Sequence, residues 1–375
     1  EHVYGRNGIE PTEDYKQWVK QQKWLKSYEL FMTFKEANKM RTWNEWPAAM
    51  RDYPELKQVD LKPYRSVIQY HRFIQYYLFK QWSALKEYAN KKGILIMGDI
   101  PFYVGLDSGD CWGSRSNFLL DKKGRPRFIA GVPPDYFSDL GQRWGNPIYD
   151  WSFMEKDHFK FWLNRLSYNK NLFDIIRLDH FRAFDTYWKI PASCPTAIEG
   201  EWIEAPGYQF FDILYKNYPD ISIIAEDLGD LREQVDILRD HYHLRGMNVL
   251  QFTFQIDSEN TVTPHSVAYT GTHDNETIAA WYQKKSPSEK RQIRNWFKQH
   301  GFTGEDLTDQ FLQFALQCGA DTVIIPMADW LGIGKEGTIN RPGTIGSPNW
   351  EWRLPSLEPF EQKETRIREM ISASR

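Results

Sequence analysis

The sequence is poor in the residues that mark several protein classes. It holds three cysteines in 375 residues, Cys111, Cys194 and Cys318, far apart and without CxxC spacing. That disfavours a disulfide framework and a structural zinc site, and a reducing compartment is the simpler reading. No apolar run approaches the roughly 18 residues a membrane helix needs. No GxGxxG follows an apolar run, and no GxxxxGK precedes a Ser or Thr, so nucleotide-binding sheets lose support. An excess of one charge is missing too. The 47 Lys and Arg against 50 Asp and Glu leave a net charge of −3, which does not favour nucleic acid or another polyanion as partner. The chain starts at Glu1 with neither Met nor a signal-like apolar segment. It is expected to be a piece of a longer chain, in a cytoplasmic setting.

What is present in excess is aromatic. Phe, Trp and Tyr make up 16% of the chain, with 16 Trp, inside an apolar fraction of 41%. That is ample for a large core, either one domain with an insertion or two domains. Flat rings also suit sugar faces and bases, although core packing accounts for most of them.

The N-terminal stretch 11–48 reads as helical and aromatic, with a break at Trp46-Pro47. Val67, Tyr70, Phe73, Ile74, Tyr77, Trp82 and Leu85 recur at helical spacing over 67–90, and Gly93 follows as a stop. A rhythm begins there. Apolar runs at 94–99, 173–179, 221–227, 248–254, 266–274 and 321–326 predict strands. Helices are predicted at 155–169, 206–218, 230–242 and 275–284, with two more up to about 318. A Gly/Pro/Asp-rich stretch lies between the first strand and about residue 152. Short apolar runs alternating with helices imply parallel strands buried on both faces. A doubly wound sheet and a (β/α)8 barrel both fit. A barrel needs eight strands, so the six found here leave two upstream.

The polar residues gather where these runs end. The tips carry Asp99, then Arg177, Asp179 and His180, then Glu226 and Asp227, then His273 and Asp274. One such carboxylate alone reads as a salt bridge or a helix cap. Four tips together point to a site, because a carboxylate beside a core costs free energy unless paired or used. Converging carboxylates suit glycoside chemistry, one attacking the anomeric carbon and another acting as acid and base. A divalent-metal site is the rival use, and His180 and His273 serve either.

GDIPFYV (98–104), IIRLDHFRAF (175–184), IIAEDLG (223–229) and YTGTHDN (269–275) resemble, in order, the four signature regions of the α-amylase superfamily. GVPPDYFSDLGQRWGNPIYDW (131–151), WKIPASCPTAIEGEWIEAPG (188–207) and LGIGKEGTINRPGTIGSPNWEWR (331–353) narrow it. They resemble long loops of the 4-α-glucanotransferases (amylomaltases, disproportionating enzymes), glycoside hydrolase family 77. The resemblance runs from about residue 24 to 353.

It implies an α/β chain, a (β/α)8 TIM barrel with helical and loop insertions, whose first two strands lie outside this sequence. Residues 1–66 would be a mainly helical insertion. Residues 67–375 would be the catalytic core with strands 3–8 and an acceptor-site insertion at about 105–152. The implied activity is transfer of α-1,4-glucan segments with retention, with an amylase-type hydrolase or a non-catalytic glucan-binding protein as alternatives. The partners would be donor and acceptor sugars, with no nucleic acid and no membrane. No cofactor or metal is expected, since an acid/base and a nucleophile suffice.

By position Asp179 matches the family's nucleophile, Glu226 its general acid/base and Asp274 its third carboxylate. Arg177, two residues before Asp179, points to the same side of the strand and would keep it ionised and aimed. Glu226 follows an apolar run, which suits an acid. Asp99 would order Arg177. His180 and His273 match sugar-binding histidines. Tyr136, Gln142, Trp144 and Asn146 lie in the segment expected to line the acceptor, and Asn340 follows the last strand. Two positions depart from the family pattern: Ala183 stands where many members carry Gly, and Thr338-Ile339-Asn340 replaces the usual Arg-Met-Asn.

Overall fold

The computed structural model describes residues 12–134, 138–229, 231–260, 262–304, 306–344 and 346–374. The chain divides into two compact units. One runs to Ile223 and takes in Arg232–Leu238, and the other holds Ile224–Leu231 and Arg239 onwards.

The first unit opens with helices α1 (Glu13–Gln21), α2 (Leu25–Ala37) and α3 (Arg65–Lys91). Thr12 caps α1 by accepting from the Tyr15 N–H, and Gly93, at φ 74°, lets the chain leave α3. α2 and α3 join through charge as well as apolar contact. Arg72 grips the buried Glu29 with Nε and Nη2, at 2.7 and 2.5 Å. The buried face of α3 differs from the expected one. Ile68, His71 and Tyr76 are buried, while Tyr77 and Leu85 stay exposed.

Six strands follow in this unit: β1 (Met97–Ile100), β2 (Phe128–Val132), β3 (Gln142–Pro147), β4 (Ile175–Leu178), β5 (Thr186–Pro191) and β6 (Glu201–Glu204). β1 and β4 pair in parallel, with Asp99 opposite Arg177. The Ile176 N–H donates to the Ser222 carbonyl, at the foot of β7 (Ile223–Ala225). Gly98 is required in β1, because a Cβ there would stand 2.1 Å from the Phe173 ring. The other four strands form an antiparallel sheet in the order β3-β2-β5-β6. The expected Gly/Pro/Asp-rich stretch therefore contains two strands.

Much of the aromatic content is core. Trp43, Trp112, Trp162, Phe102, Phe184 and Phe210 are almost wholly buried, and the Phe184 and Phe210 rings stack at 5.0 Å.

In the second unit β8 (Gly246–Val249), β9 (Ser266–Tyr269) and β10 (Thr322–Ile324) form a parallel sheet in the order β10-β9-β8. The Ala225 N–H of β7 donates to the Arg245 carbonyl just before β8. The expected strand at 248–254 is half right, because after Val249 the chain turns into a short helix, Leu250–Thr253. Ile278, Trp281, Trp296, Phe297, Phe311 and Phe314 form this unit's core with Phe254 against it. The helices that carry most of them are well capped. Thr277 caps Ile278–Gln283, a Ser286/Glu289 capping box with Pro287 opens Pro287–Gln299, and Asp306 caps Leu307–Gln317. Cys111 and Cys318 are buried thiols, and Cys194 is half-buried. No described helix is long and apolar enough to cross a membrane.

Candidate active site

In β4 the alternation of side chains sends Ile176 and Leu178 to one face, and Arg177 with Asp179 to the other. The Arg177 side chain is 8% exposed. A guanidinium so poor in water must be matched by anions. It is matched twice: Nη1 lies 2.5 Å from Asp99 Oδ2 and 3.2 Å from Asp179 Oδ1. The two carboxylates themselves are more than 40% exposed, so a buried cation holds two anions that face outward. The expected Asp99–Arg177–Asp179 grouping is thus brought together.

His180 follows in the left-handed region, at φ 52°, and among the described residues three aromatic rings lie beside it. Trp144 lies edge-on at 4.9 Å, with Phe102 and Tyr103 at 6.4 Å. Desolvation, with Arg182 adding like charge, pushes its pKa down to about 4. The ring is neutral at pH 7, able to donate from one nitrogen and accept at the other.

β3 supplies the rest of the described segment. Gln142 Oε1 accepts from Trp144 Nε1 at 3.1 Å, which fixes the indole, and Trp144 remains 39% exposed. Asn146 instead donates to the Val104 carbonyl at 3.0 Å, tying β3 to the loop after β1. Tyr136 lies outside the described residues.

In the second unit Glu226 and Asp227 follow β7 and are separated by use. Asp227 accepts from the Met247 N–H at 2.7 Å and from Arg239 Nη1 at 2.6 Å, and its side chain is almost fully buried. A Cβ at Gly246 would stand 2.3 Å from its Oδ2, so the glycine makes room for this anchor. Asp227 is structural, and it fixes the backbone from which the half-buried Glu226 projects.

After β9, Thr272 and Asn275 close a turn through the Asn275 side chain, which accepts the Thr272 N–H and hydroxyl at 2.8 Å. That turn presents His273 and Asp274. Asn340 Nδ2 donates to Asp274 Oδ1 at 2.7 Å, and His273 Nε2 lies 3.4 Å from Asp274 Oδ2. Behind the turn the buried Asp329 accepts from Thr270 Oγ1 and from the Ile278 N–H. Burial raises its pKa above the usual carboxylate range. Sequence reading missed Trp350, whose ring packs 5.3 Å from that of His273. Residues 341–344 bond within their own loop: the Arg341 N–H reaches Asn349, and Thr344 Oγ1 the Arg341 carbonyl. Among the described residues no group of three His, Cys, Asp or Glu side chains is placed to hold a metal ion.

Carboxylates at the tips of parallel strands, beside part-exposed indoles, are what an α/β enzyme of glycoside chemistry requires. The glycoside hydrolase 77 family, 4-alpha-glucanotransferase, matches residues 3–358, and the chain belongs to that family. It is 41% identical over 362 residues to the 4-alpha-glucanotransferase of Thermus thermophilus, covering 94% of this chain and 72% of that protein. To that of Synechocystis it is 40% identical over 343 residues, covering 89% and 67%. Among solved structures, the amylomaltase of Streptococcus agalactiae in complex with acarbose superposes with a TM-score of 0.90 at 34% identity, covering 96% of this chain and 74% of that one. The chain therefore has the α-amylase-type α/β fold and the activity of a glycosyltransferase, 4-α-glucanotransferase.

Proposed function

We propose that the chain moves α-1,4-glucan segments by a retaining double displacement. An Asp179 oxygen attacks C1 of the donor sugar as the C1–O4 bond breaks, and Glu226, as the acid, gives its proton to the departing O4. The acceptor's 4-OH then attacks C1, Glu226 takes its proton, and Asp179 leaves. Asp274 holds sugar hydroxyls and offsets the positive charge that grows at C1 in both steps. His180 and His273 bond sugar hydroxyls. Gln142 aims Trp144, which stacks a sugar and keeps water from the glycosyl-enzyme, and Tyr136 is assigned to the same lining.

The observation that carries this reading is Arg177 bridging Asp99 and Asp179, because a nucleophile must be anionic and fixed in direction. Asp99 and Asn146 act by holding their neighbours. Asn340 holds Asp274 and shares its contact with the sugar.

The wider reading keeps β1, β4, β7, β8, β9 and β10 as strands 3–8 of a (β/α)8 barrel. Residues 1–66 are the helical insertion, 67–375 the catalytic core and about 105–152 the acceptor insertion. The acarbose complex of the Streptococcus agalactiae relative supports a glucan-type ligand, and three free thiols favour a cytoplasmic setting.

Incubation with maltotriose tests it. Transfer predicts glucose plus a ladder of longer oligomers, lost in Asp179→Ala protein that keeps its circular dichroism. Accumulating reducing ends with only shorter products would establish a hydrolase instead.

A further inference from the structure

Trp350 has three properties that packing alone does not explain. It is the most exposed large apolar side chain described, at 65%. Its backbone is left-handed, at φ 64°, a conformation that a bulky residue adopts only when the surroundings impose it. And its ring lies 5.3 Å from that of His273, tilted by 39°. Strain held at an exposed position beside a site is an observation from which function is inferred.

The surroundings that impose it are on the page. The Trp350 N–H donates to the Ile339 carbonyl at 2.8 Å and closes the neck of the loop. Inside the loop Asn349 accepts the Arg341 N–H and donates to Thr344 Oγ1. The neck sets Asn340 and Trp350 side by side. Asn340 reaches the Asp274 carboxylate, and Trp350 covers part of the neighbouring imidazole. One face of the indole is spent on His273, and most of the ring is left to water. An indole left so far open forgoes burial worth roughly 25 cal/mol per Å² of apolar surface, unless something covers it.

We propose that Trp350 is a stacking platform for one glucose unit of the bound glucan, the unit next to the sugar that His273 and Asp274 hold. This rests on the glucan-transferring reading above. The C–H face of a pyranose lies on the free indole, while hydroxyls at its rim reach His273. The contact is sequence-tolerant along an α-1,4 chain because every unit offers the same face. It contributes to binding of the chain and takes no part in proton transfer, so it acts on KM.

Trp350→Ala, Trp350→Gly and Trp350→Phe are compared with the wild type on maltotriose and maltoheptaose. Ala and Gly are expected to raise KM by about tenfold with kcat within about twofold, the size of one aromatic contact. Gly also relieves the left-handed strain, so an effect shared by both reports the ring and not the backbone. Phe recovers most of the loss. Calorimetric titration of maltoheptaose into Glu226→Gln protein, with and without Trp350→Ala, reads binding without turnover and gives the same weakening. An unchanged KM and affinity would overturn the proposal. So would a fall in kcat at constant KM, which would make the indole a positioning residue for His273. A wild type that binds maltoheptaose through Trp350 yet fails to disproportionate maltotriose would sink the transferase reading and leave the platform standing.

Discussion

The two strand tips proposed to carry the chemistry are built on opposite principles. In the first unit Asp179 is held by a formal charge. Arg177 is buried and rigid, and it spends one nitrogen on two carboxylates. In the second unit Asp274 is held by a neutral amide, Asn340, on a surface loop, with His273 alongside. A permanent cation keeps a carboxylate anionic and immobile, as attack on carbon demands. An amide orients a carboxylate through a hydrogen bond without setting a formal charge against it, and this suits the proposed role of offsetting a cation that forms in the substrate. The same residue type is thus specialised by what stands behind it.

Breaking the first tip has the largest expected effect. Arg177→Met leaves Asp99 and Asp179 facing each other without their cation. We expect kcat to fall by on the order of 10²- to 10³-fold and stability by about 1–3 kcal/mol, because the carboxylates left behind are part-exposed and screened by water. Turnover and urea midpoints measure the two losses. Arg177→Lys sharpens the point: if charge alone mattered it would restore the wild type, whereas the planar fork predicts partial recovery. Near-normal activity in the Met variant would end the comparison.

The neutral tip is expected to be softer. Asn340→Ala removes one hydrogen bond to a charged group, worth about 1.5–3 kcal/mol, so kcat/KM falls by roughly tenfold to a hundredfold. The site is exposed, so the melting temperature stays near the wild type. A loss exceeding that of Arg177→Met would reverse the ranking of the tips.

The smallest effect concerns His180 and is seen in pH. Its folded pKa is about 4 against an ordinary 6.5. Between those values the unfolded chain binds a proton that the folded one refuses. Stability contributed by the neutral ring is full above pH 6.5, declines as pH drops through that window and is lost below about 4. His180→Asn, which tolerates the left-handed backbone, is expected to flatten this part of the urea-midpoint profile. An unaltered slope would show that other groups set it.

The parallel strands were legible because each is a short apolar run bounded by Gly or Asp, and burial on both faces demands that composition. The tips were legible because charge interrupts those runs. The antiparallel sheet was not. β3 reads QRWGNP and β6 reads EWIE, polar stretches with no inward face to betray them, and the two halves of the sheet join only where β2 pairs with the distant β5. Asp227 looked like a second site carboxylate, because adjacency in sequence conceals that alternate residues of an extended chain face opposite sides. Trp350 sits 76 residues beyond Asp274 in a loop without periodicity, and contacts such as its bond to Ile339 bring it back.

The thiols have a practical consequence. Cys111 and Cys318 are sealed, whereas Cys194 is partly open, and its backbone carbonyl accepts from Arg143 Nε, one residue before Trp144. Burial and the Glu199 carboxylate raise the Cys194 pKa, so alkylation there needs mildly alkaline buffer. A single fluorophore could then be attached to the unaltered chain. Its emission would report on the strand that carries Trp144, turning a scarce residue into a built-in label.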